Sequence, residues 1–281
     1  MAIFTLWLWP LIALVLLPGL LVYLGLHVVQ RGIIFVDLAL AQVAALGVCV
    51  AILTGAHPGD WQPYLLSLVF TLLGAALFSL TRFRHPRVPH ESIIGIIYVV
   101  AAAAATVVLS RTAEGDEALK NLLVGNVLLV GRGEVLRTAA LYAVIGAIHW
   151  LLRDRFLTVT FDEDAARRRG MGLRKWDFFF YGTFGFVVTS FVQIAGVYLV
   201  FSYLIVPAVC GALWSANIRT RLIVGWIVAF LAGLSGLLLS VQFESLDLPT
   251  GPTIVCVFGV LLVAVALLSW LRKPDRAAVS D

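Results

Sequence analysis

Nine runs of about 20 mostly apolar residues divide the 281-residue chain, and this pattern constrains its fold more than any other feature. A helix that crosses the hydrocarbon core of a bilayer needs about 20 such residues. The pattern therefore predicts an all-α polytopic integral membrane protein, with one transmembrane domain over residues 1–281. We expect eight or nine spanning helices, because only Gln193–Gly196 separates the sixth run from the seventh. The runs cover residues 7–29, 33–54, 61–81, 92–110, 135–152, 176–193, 196–216, 222–242 and 253–271.

The scarcity of charge excludes several classes of protein. Hydrophobic residues make up 61% of the chain, charged residues make up 13%, and the mean hydropathy is +1.01. Soluble domains have about 25% charged residues, which they need to cover a water-exposed surface. The composition therefore excludes a soluble enzyme, a disordered chain and a nucleic-acid-binding domain. The lipid bilayer is the predicted surrounding medium.

A short apolar segment between the fourth and fifth runs has a different character. Residues 121–133 read NLLVGNVLLVGRG, which is too short to cross a bilayer. Irregular backbone at membrane depth is tolerated only where protein or a water-filled cavity covers it. We therefore predict one re-entrant or half-membrane segment here.

The distribution of basic residues predicts the orientation. With nine spans, 16 of the 20 lysines and arginines fall on one side of the membrane. Cytoplasmic loops carry an excess of Lys and Arg. This places the N-terminus outside and the C-terminus in the cytoplasm of a multi-pass inner (plasma) membrane protein. We expect a disordered tail over residues 273–281.

The longest loop on the basic side, residues 153–175, contains a charged segment with the sequence FDEDAARRRG over residues 161–170. Its acids come first and its arginines last, which suits the dipole of a short helix, and Gly170 and Gly172 can end that helix. Two interpretations are open. The helix is either a solvated connector between spans or a docking element for a cytoplasmic partner.

The chain lacks the motif for ATP hydrolysis of its own. A phosphate-binding loop requires Gly-Lys-Ser/Thr, and none of the three lysines follows a glycine. Any ATP-driven work must therefore come from another chain. An intramembrane serine hydrolase is a further candidate, because Ser235 lies in the sequence GLSG, but no histidine follows it. Small residues that ease helix packing are the favoured interpretation.

Asp37 and Gln42 are the polar side chains that stand out in the second run. Ionisable residues inside spans are candidates for a transport pathway, so we predict that both line or brace one. They lie five residues apart, about 140° around a helix, and do not share a face. Two structural alternatives remain open: Asp37 bonds to nearby backbone, and Gln42 joins helices by hydrogen bonds.

Proline and glycine mark two places where helices are expected to break. Pro207 lies within LIVPA, and DLPTGP contains Pro249, Gly251 and Pro252. Transport pathways often use interrupted helices. These four residues are therefore candidate gating positions.

Six segments of the chain form a recognisable series, and they are, in order, Leu40–Val48, Glu91–Ile96, Leu122–Leu128, Phe161–Gly172, Tyr203–Ala208 and Asp247–Pro252. In this order and at comparable spacing, they resemble the membrane permeases of the zinc/manganese ABC importer family. The resemblance extends over most of the chain and implies the fold and partners of that family.

The resemblance implies a pore formed with a second permease copy, most simply as a homodimer. It also implies a cytoplasmic ATPase dimer that holds ATP and Mg²⁺, and an extracellular or periplasmic solute-binding protein. The family's loop between spans acts as a coupling helix on the ATPase. That role is carried onto Asp162, Glu163, Ala166, Arg167 and Gly170. No cofactor is expected on this chain, which is predicted to be a transporter subunit and not an enzyme.

One position departs from the family's pattern. The family places an acid and a histidine four residues apart on the second span, on one helical face. With Gly47 kept in register, Leu38 and Gln42 occupy those positions, so no residue is assigned as a metal ligand. We predict import of a divalent cation, zinc or manganese. The alternatives are a permease of the same fold for a non-metal solute, and an ATP-independent secondary transporter.

Overall fold

The computed structural model of the chain describes residues 2–57, 60–81, 89–112, 120, 123–125, 127, 130–242 and 248–272. The predicted disordered tail lies outside the described residues, as do residues 121, 122, 126, 128 and 129 of the predicted re-entrant segment. The described residues form helices and connecting turns, which agrees with the all-α prediction. The ten main helices are α1 (Ala2–Arg31), α2 (Val36–Leu53), α3 (Trp61–Leu80), α4 (His90–Leu109), α5 (Arg132–Leu151), α6 (Arg153–Phe161), α7 (Glu163–Arg168), α8 (Leu173–Trp214), α9 (Ile218–Gln242) and α10 (Thr250–Arg272).

Helix α8 is a hairpin of two helical halves. Gly196 interrupts it with φ 75° and ψ 168°, a backbone conformation outside the helical region. Phe191 and Tyr203 lie twelve residues apart, which is about 18 Å along a straight helix. Their rings nevertheless lie with centroids 5.8 Å apart. The chain therefore reverses direction at Gly196, and residues 173–195 and 197–214 run side by side.

The number of membrane-length segments agrees with the sequence prediction of eight or nine. Among the described residues, seven helices are long and apolar enough to cross a membrane. Helices α5 and α6, bent by 73° at their junction, add an eighth candidate span. Helix α8 supplies two membrane-length segments, because it reverses direction at Gly196. This turn coincides with the break between the sixth and seventh apolar runs.

The core forms around α2 and α8. Helix α2 packs against α3, α4 and α8, and the two halves of α8 also contact α1, α9 and α10. Helix α4 and helix α10 lie at the periphery and expose large apolar side chains, as a lipid-facing surface requires. Exposed examples are Ile96, Val99, Val100 and Val107 on α4, and Val260, Val263, Leu267 and Leu268 on α10.

Part of the predicted re-entrant segment packs on the α8 turn. Gly125 has φ 62°, and a Cβ atom added there would lie 2.1 Å from the backbone carbon of Ala195. A Cβ atom on Gly251, at the start of α10, would lie 2.5 Å from the carbonyl oxygen of Val124. These contacts place three chain segments together at the end of the bundle where α8 turns.

Candidate functional site

Asp37 and Gln42 are both buried on the central helix α2. Asp37 lies in its first turn with 0% of its surface exposed, and Gln42 is 5% exposed. Neither carboxyl oxygen of Asp37 is paired with another described side chain. The two residues point to different faces of α2, as their spacing predicts. Both faces are buried, because α3, α4 and α8 surround this helix.

The positions that correspond to the family's metal pair do not form a cluster of strong metal ligands. Leu38 is partly buried against the apolar core, and Gln42 supplies only an amide. Gly47, which sets this register, is fixed by close packing: a Cβ atom there would lie 2.6 Å from the carbonyl oxygen of Leu66 in α3. Among the described residues, no group of three or more His, Cys, Asp or Glu side chains could hold a metal ion.

The four candidate gating residues occupy two different settings. Pro207 lies inside the second half of α8, and its carbonyl group faces Gly225 of α9. Pro249 precedes α10 and accepts the Thr253 N–H at 3.1 Å, so it caps the helix start. Gly251 and Pro252 lie in the first turn of α10. These three residues thus begin a helix near the α8 turn, and their gating role stays a prediction.

Helix α7 is the predicted short charged helix, and both of its ends are capped. The Asp162 carboxylate accepts the backbone N–H of Ala165 at 2.8 Å, which is an N-cap hydrogen bond. At the other end, Gly170 adopts φ 68°. The Gly170 N–H donates to the Arg167 carbonyl and the Met171 N–H donates to the Ala166 carbonyl, both at 3.0 Å. This pair of bonds is a Schellman motif.

One face of α7 is anchored and the other is free for contact. Ala166 is fully buried in a small apolar cluster with Val159 and Leu173. Arg168 and Arg169 are exposed, while Arg167 is exposed and paired with Glu163 one turn earlier. A small buried alanine seats the helix on the bundle, so its arginines face outward. This arrangement suits a docking element better than a loose connector.

A buried polar cluster, here called the inner cluster, joins the helices before and after α7 to α1. The sequence patterns did not reveal it. Arg31, in the last turn of α1, donates from Nη1 to Asp177 Oδ1 of α8 at 2.9 Å. Its Nε donates to Thr160 Oγ1 of α6 at 3.0 Å. Thr160 Oγ1 also lies 2.7 Å from His27 Nδ1. The inner cluster is His27, Arg31, Thr160 and Asp177, and it joins α1, α6 and α8.

Aromatic rings and a second histidine enclose the inner cluster. The Arg31 guanidinium lies 4.2 Å from the centroid of the Phe180 ring, a cation–π contact. The His149 ring of α5 stacks on Phe156 at 4.2 Å, and its Nε2 lies 2.9 Å from Thr183 Oγ1. The available sequence signal was Arg31 just after the first apolar run and Asp177 at the start of the sixth, at ends predicted to lie on one side of the membrane. Intramembrane charges usually pair in this way.

The hydrolase alternative gains no support from the geometry of Ser235. Its hydroxyl donates to the Leu231 carbonyl within the same helix, and the residue is partly exposed on α9. A Cβ atom on Gly236 would lie 2.6 Å from Ile254 Cα, so the GLSG segment brings α9 and α10 into close contact. This agrees with the packing interpretation.

A model of the ABC 3 transport family matches residues 4–269 of the chain. The chain belongs to this family. It is therefore a multi-span permease subunit of the ABC type in the plasma membrane and not itself an enzyme, since ATP hydrolysis resides in a separate subunit. The ATP-independent alternative is wrong.

Two relatives of the chain are named for zinc or manganese transport. The zinc transport system membrane protein TroC of Treponema pallidum is 26% identical over 264 residues, which cover 90% of this chain and 83% of TroC. The manganese transport system membrane protein MntC of Bacillus subtilis is 27% identical over 284 residues, covering 95% of this chain and 61% of MntC.

A solved structure shares the fold of this ABC 3 chain. PsaBC from Streptococcus pneumoniae, solved in complex with a Fab, superposes with a TM-score of 0.76 at 21% identity. The superposition covers 96% of this chain and 93% of the PsaBC chain. The similarity therefore extends over the whole helical bundle.

Proposed function

We propose that the chain is the membrane permease subunit of an ATP-driven importer for divalent metal ions, zinc or manganese. The observation that carries this proposal is the family match over residues 4–269, together with relatives named for zinc and manganese transport. The mechanism is alternating access, in which a partner ATPase supplies the motion and the permease makes no covalent change in its cargo.

The proposed assembly has two permease copies, a cytoplasmic ATPase dimer with ATP and Mg²⁺, and an outer solute-binding protein. Helix α7 is proposed as the coupling helix, because it is capped at both ends, anchored by Ala166 and exposes arginines. The side that carries α7 is assigned to the cytoplasm of the inner membrane. The N-terminus is then outside.

The cargo is proposed to pass along α2, where Gln42 and Asp37 line or brace the path. Amide and carboxylate oxygens are weaker ligands for zinc than imidazole and thiolate, and they suit harder cations such as manganese. The departure at Leu38 and Gln42 favours a second candidate, a permease of the same fold for a non-metal small solute.

A charge-reversal experiment tests the coupling assignment. The variant Arg167→Glu with Arg168→Glu should lower ATPase co-purification by at least fivefold, because it replaces two exposed cationic contacts with anionic ones. Arg219→Glu is a matched control, since Arg219 is exposed at the start of α9 on the same proposed side. Unchanged ATPase binding in the double variant would contradict the docking role of α7.

The purified complex with its binding protein then tests the cargo. Zinc and manganese ions are supplied separately, and uptake into proteoliposomes and ATP hydrolysis are measured. Stimulation by either ion supports the metal assignment. If neither ion stimulates while the complex hydrolyses ATP, the second candidate replaces it.

A further inference from the structure

The inner cluster links the two chain segments that flank α7, the proposed coupling helix, in the sequence. Helix α7 lies in sequence between Thr160 and Asp177, and both of these residues bond to the same guanidinium group of Arg31. Thr160 is two residues before Asp162, the N-cap of α7, so at most about 7 Å of chain separates them. Asp177 is in the second turn of α8, which starts just after α7. Each flank of α7 is thus tied to the last turn of α1.

Burial makes this connection stiff. The side chains of Arg31 and Asp177 are 6% and 0% exposed. In a low-dielectric site, charge-assisted hydrogen bonds are short and strong, and water cannot replace them when they break. The Phe180 ring covers the guanidinium group. A displacement of α7 must therefore move α1 with it or break a buried bond.

We propose that Arg31 is a positioning residue that converts movement of the coupling helix into movement of α1. Its bonds to Thr160 and Asp177 reach one residue on each side of α7. Helix α1 packs along α8 and α9, so its movement reaches the central helices. This inference rests on the proposed function, because it takes α7 as the contact with the ATPase.

Two variants of Thr160 distinguish the effect of its hydroxyl group from the effect of its side-chain shape. Thr160→Val keeps the volume and removes the hydroxyl, while Thr160→Ser keeps the hydroxyl and removes a methyl group. Thr158→Val is the comparison variant on α6, since Thr158 is half-buried and its hydroxyl donates to the Asp154 carbonyl of the same helix and accepts from Arg169 Nη1 at 3.3 Å. Arg31→Lys is a further test, because one ammonium group cannot reproduce the guanidinium fork.

The measurement is the amount of zinc or manganese taken up per ATP hydrolysed by the complete complex. We expect Thr160→Val and Arg31→Lys to bind the ATPase normally, to keep basal hydrolysis within twofold, and to lose at least fivefold in uptake per ATP. Thr160→Ser and Thr158→Val should remain within twofold of the wild type. Equal uptake per ATP in Thr160→Val and Thr158→Val would overturn the proposal. Loss of ATPase binding in Thr160→Val would overturn it too, since the hydroxyl would then only hold α7 in shape.

A second measurement does not depend on the cargo. Spin labels at Val15 of α1 and Val99 of α4, both exposed, report movement of α1 when ATP and vanadate are added to a complex whose native cysteines are replaced. We expect the distance between the two labels to change in the complex that keeps Thr160 and to stay constant in the Thr160→Val complex. A preserved change in Thr160→Val overturns the proposal. A wrong cargo assignment gives a different result: in the wild-type complex the distance between the labels changes, but neither zinc nor manganese is taken up.

Discussion

At the scale of single residues, the structure separates polar groups that bond to protein from polar groups that do not. Arg31 donates from Nε to the hydroxyl of Thr160 and from Nη1 to the carboxylate of Asp177. Asp37 is equally buried but has no side-chain partner among the described residues. A buried carboxylate without a partner is costly to keep, and such groups mark functional positions in membrane proteins.

Gln42 gives a direct test of the proposed path. Gln42→Leu should leave assembly with the ATPase intact and reduce uptake by at least fivefold, because the apolar side chain removes the amide oxygen from the buried face of α2. Gln62→Leu, the same change at an exposed position near the start of α3, should leave uptake unchanged. Zinc or manganese uptake into proteoliposomes is the measurement, and normal uptake by Gln42→Leu would remove this residue from the path.

Gly196 gives a test of the α8 turn. Its φ and ψ values lie in a region used almost only by glycine, where another residue costs about 1–3 kcal/mol. A Cβ atom there would also lie 2.5 Å from the backbone nitrogen of Gly125. Gly196→Ala should therefore lower the thermal unfolding temperature of the detergent-solubilised protein. Gly146→Ala serves as the control, since a Cβ atom within α5 would meet no atom within 4 Å. If both variants unfold at the wild-type temperature, the turn geometry is wrong.

At the scale of elements, α7 is too short to be stable from helix propensity alone. Helices of fewer than about 12 residues are marginal in water, and α7 has six. Its order comes from the Asp162 cap, the Gly170 motif and the burial of Ala166. The helix is thus held in shape before any partner binds, which reduces the ordering cost of docking.

Removing the N-cap should loosen α7 selectively. Asp162→Ala is expected to cost about 1 kcal/mol of helix stability. Faster amide exchange over residues 163–171 and weaker ATPase binding are the measured consequences. Asp164→Ala removes the same charge from an exposed position within the first turn of the helix and should have the smaller effect. Equal exchange rates in the two variants would contradict the capping role.

At the scale of the whole molecule, two groups of chain segments mark the two ends of the helical bundle. The inner cluster and α7 lie together with the ends of α1, α5 and α6. The start of α10 and the α8 turn lie together through Gly251, Val124 and Gly125. We expect the first group on the cytoplasmic side, because most lysines and arginines belong to its loops.

Labelling of single cysteines tests this orientation. In a chain without its native cysteines, a membrane-impermeant maleimide applied to intact cells should label His57→Cys and should not label Arg169→Cys. Both side chains are exposed, and His57 is 87% exposed between α2 and α3. After the cells are opened, both variants should react. Labelling of Arg169→Cys alone in intact cells would reverse the assigned topology.

The fold class and the charged helix were predictable because their signals are local. A run of 20 apolar residues requires a spanning helix wherever it lies in the chain. The capped helix after Asp162 follows from acids, arginines and a glycine within ten residues. The roles assigned to Asp37, Gln42 and the gating prolines stay predictions, because the described geometry reports their burial and not their use.

The sequence by itself determined the all-α membrane architecture and the lack of a Gly-Lys-Ser/Thr phosphate-binding motif. Only the tertiary structure decided that α8 folds back at Gly196 and that Arg31 bonds to Asp177. These two residues lie 146 positions apart in the sequence. No local periodicity carries information about such a pairing, because it depends on how α1, α6 and α8 pack at one end of the bundle. The connection between the segments that flank α7 and the first span is therefore a property of the packed bundle.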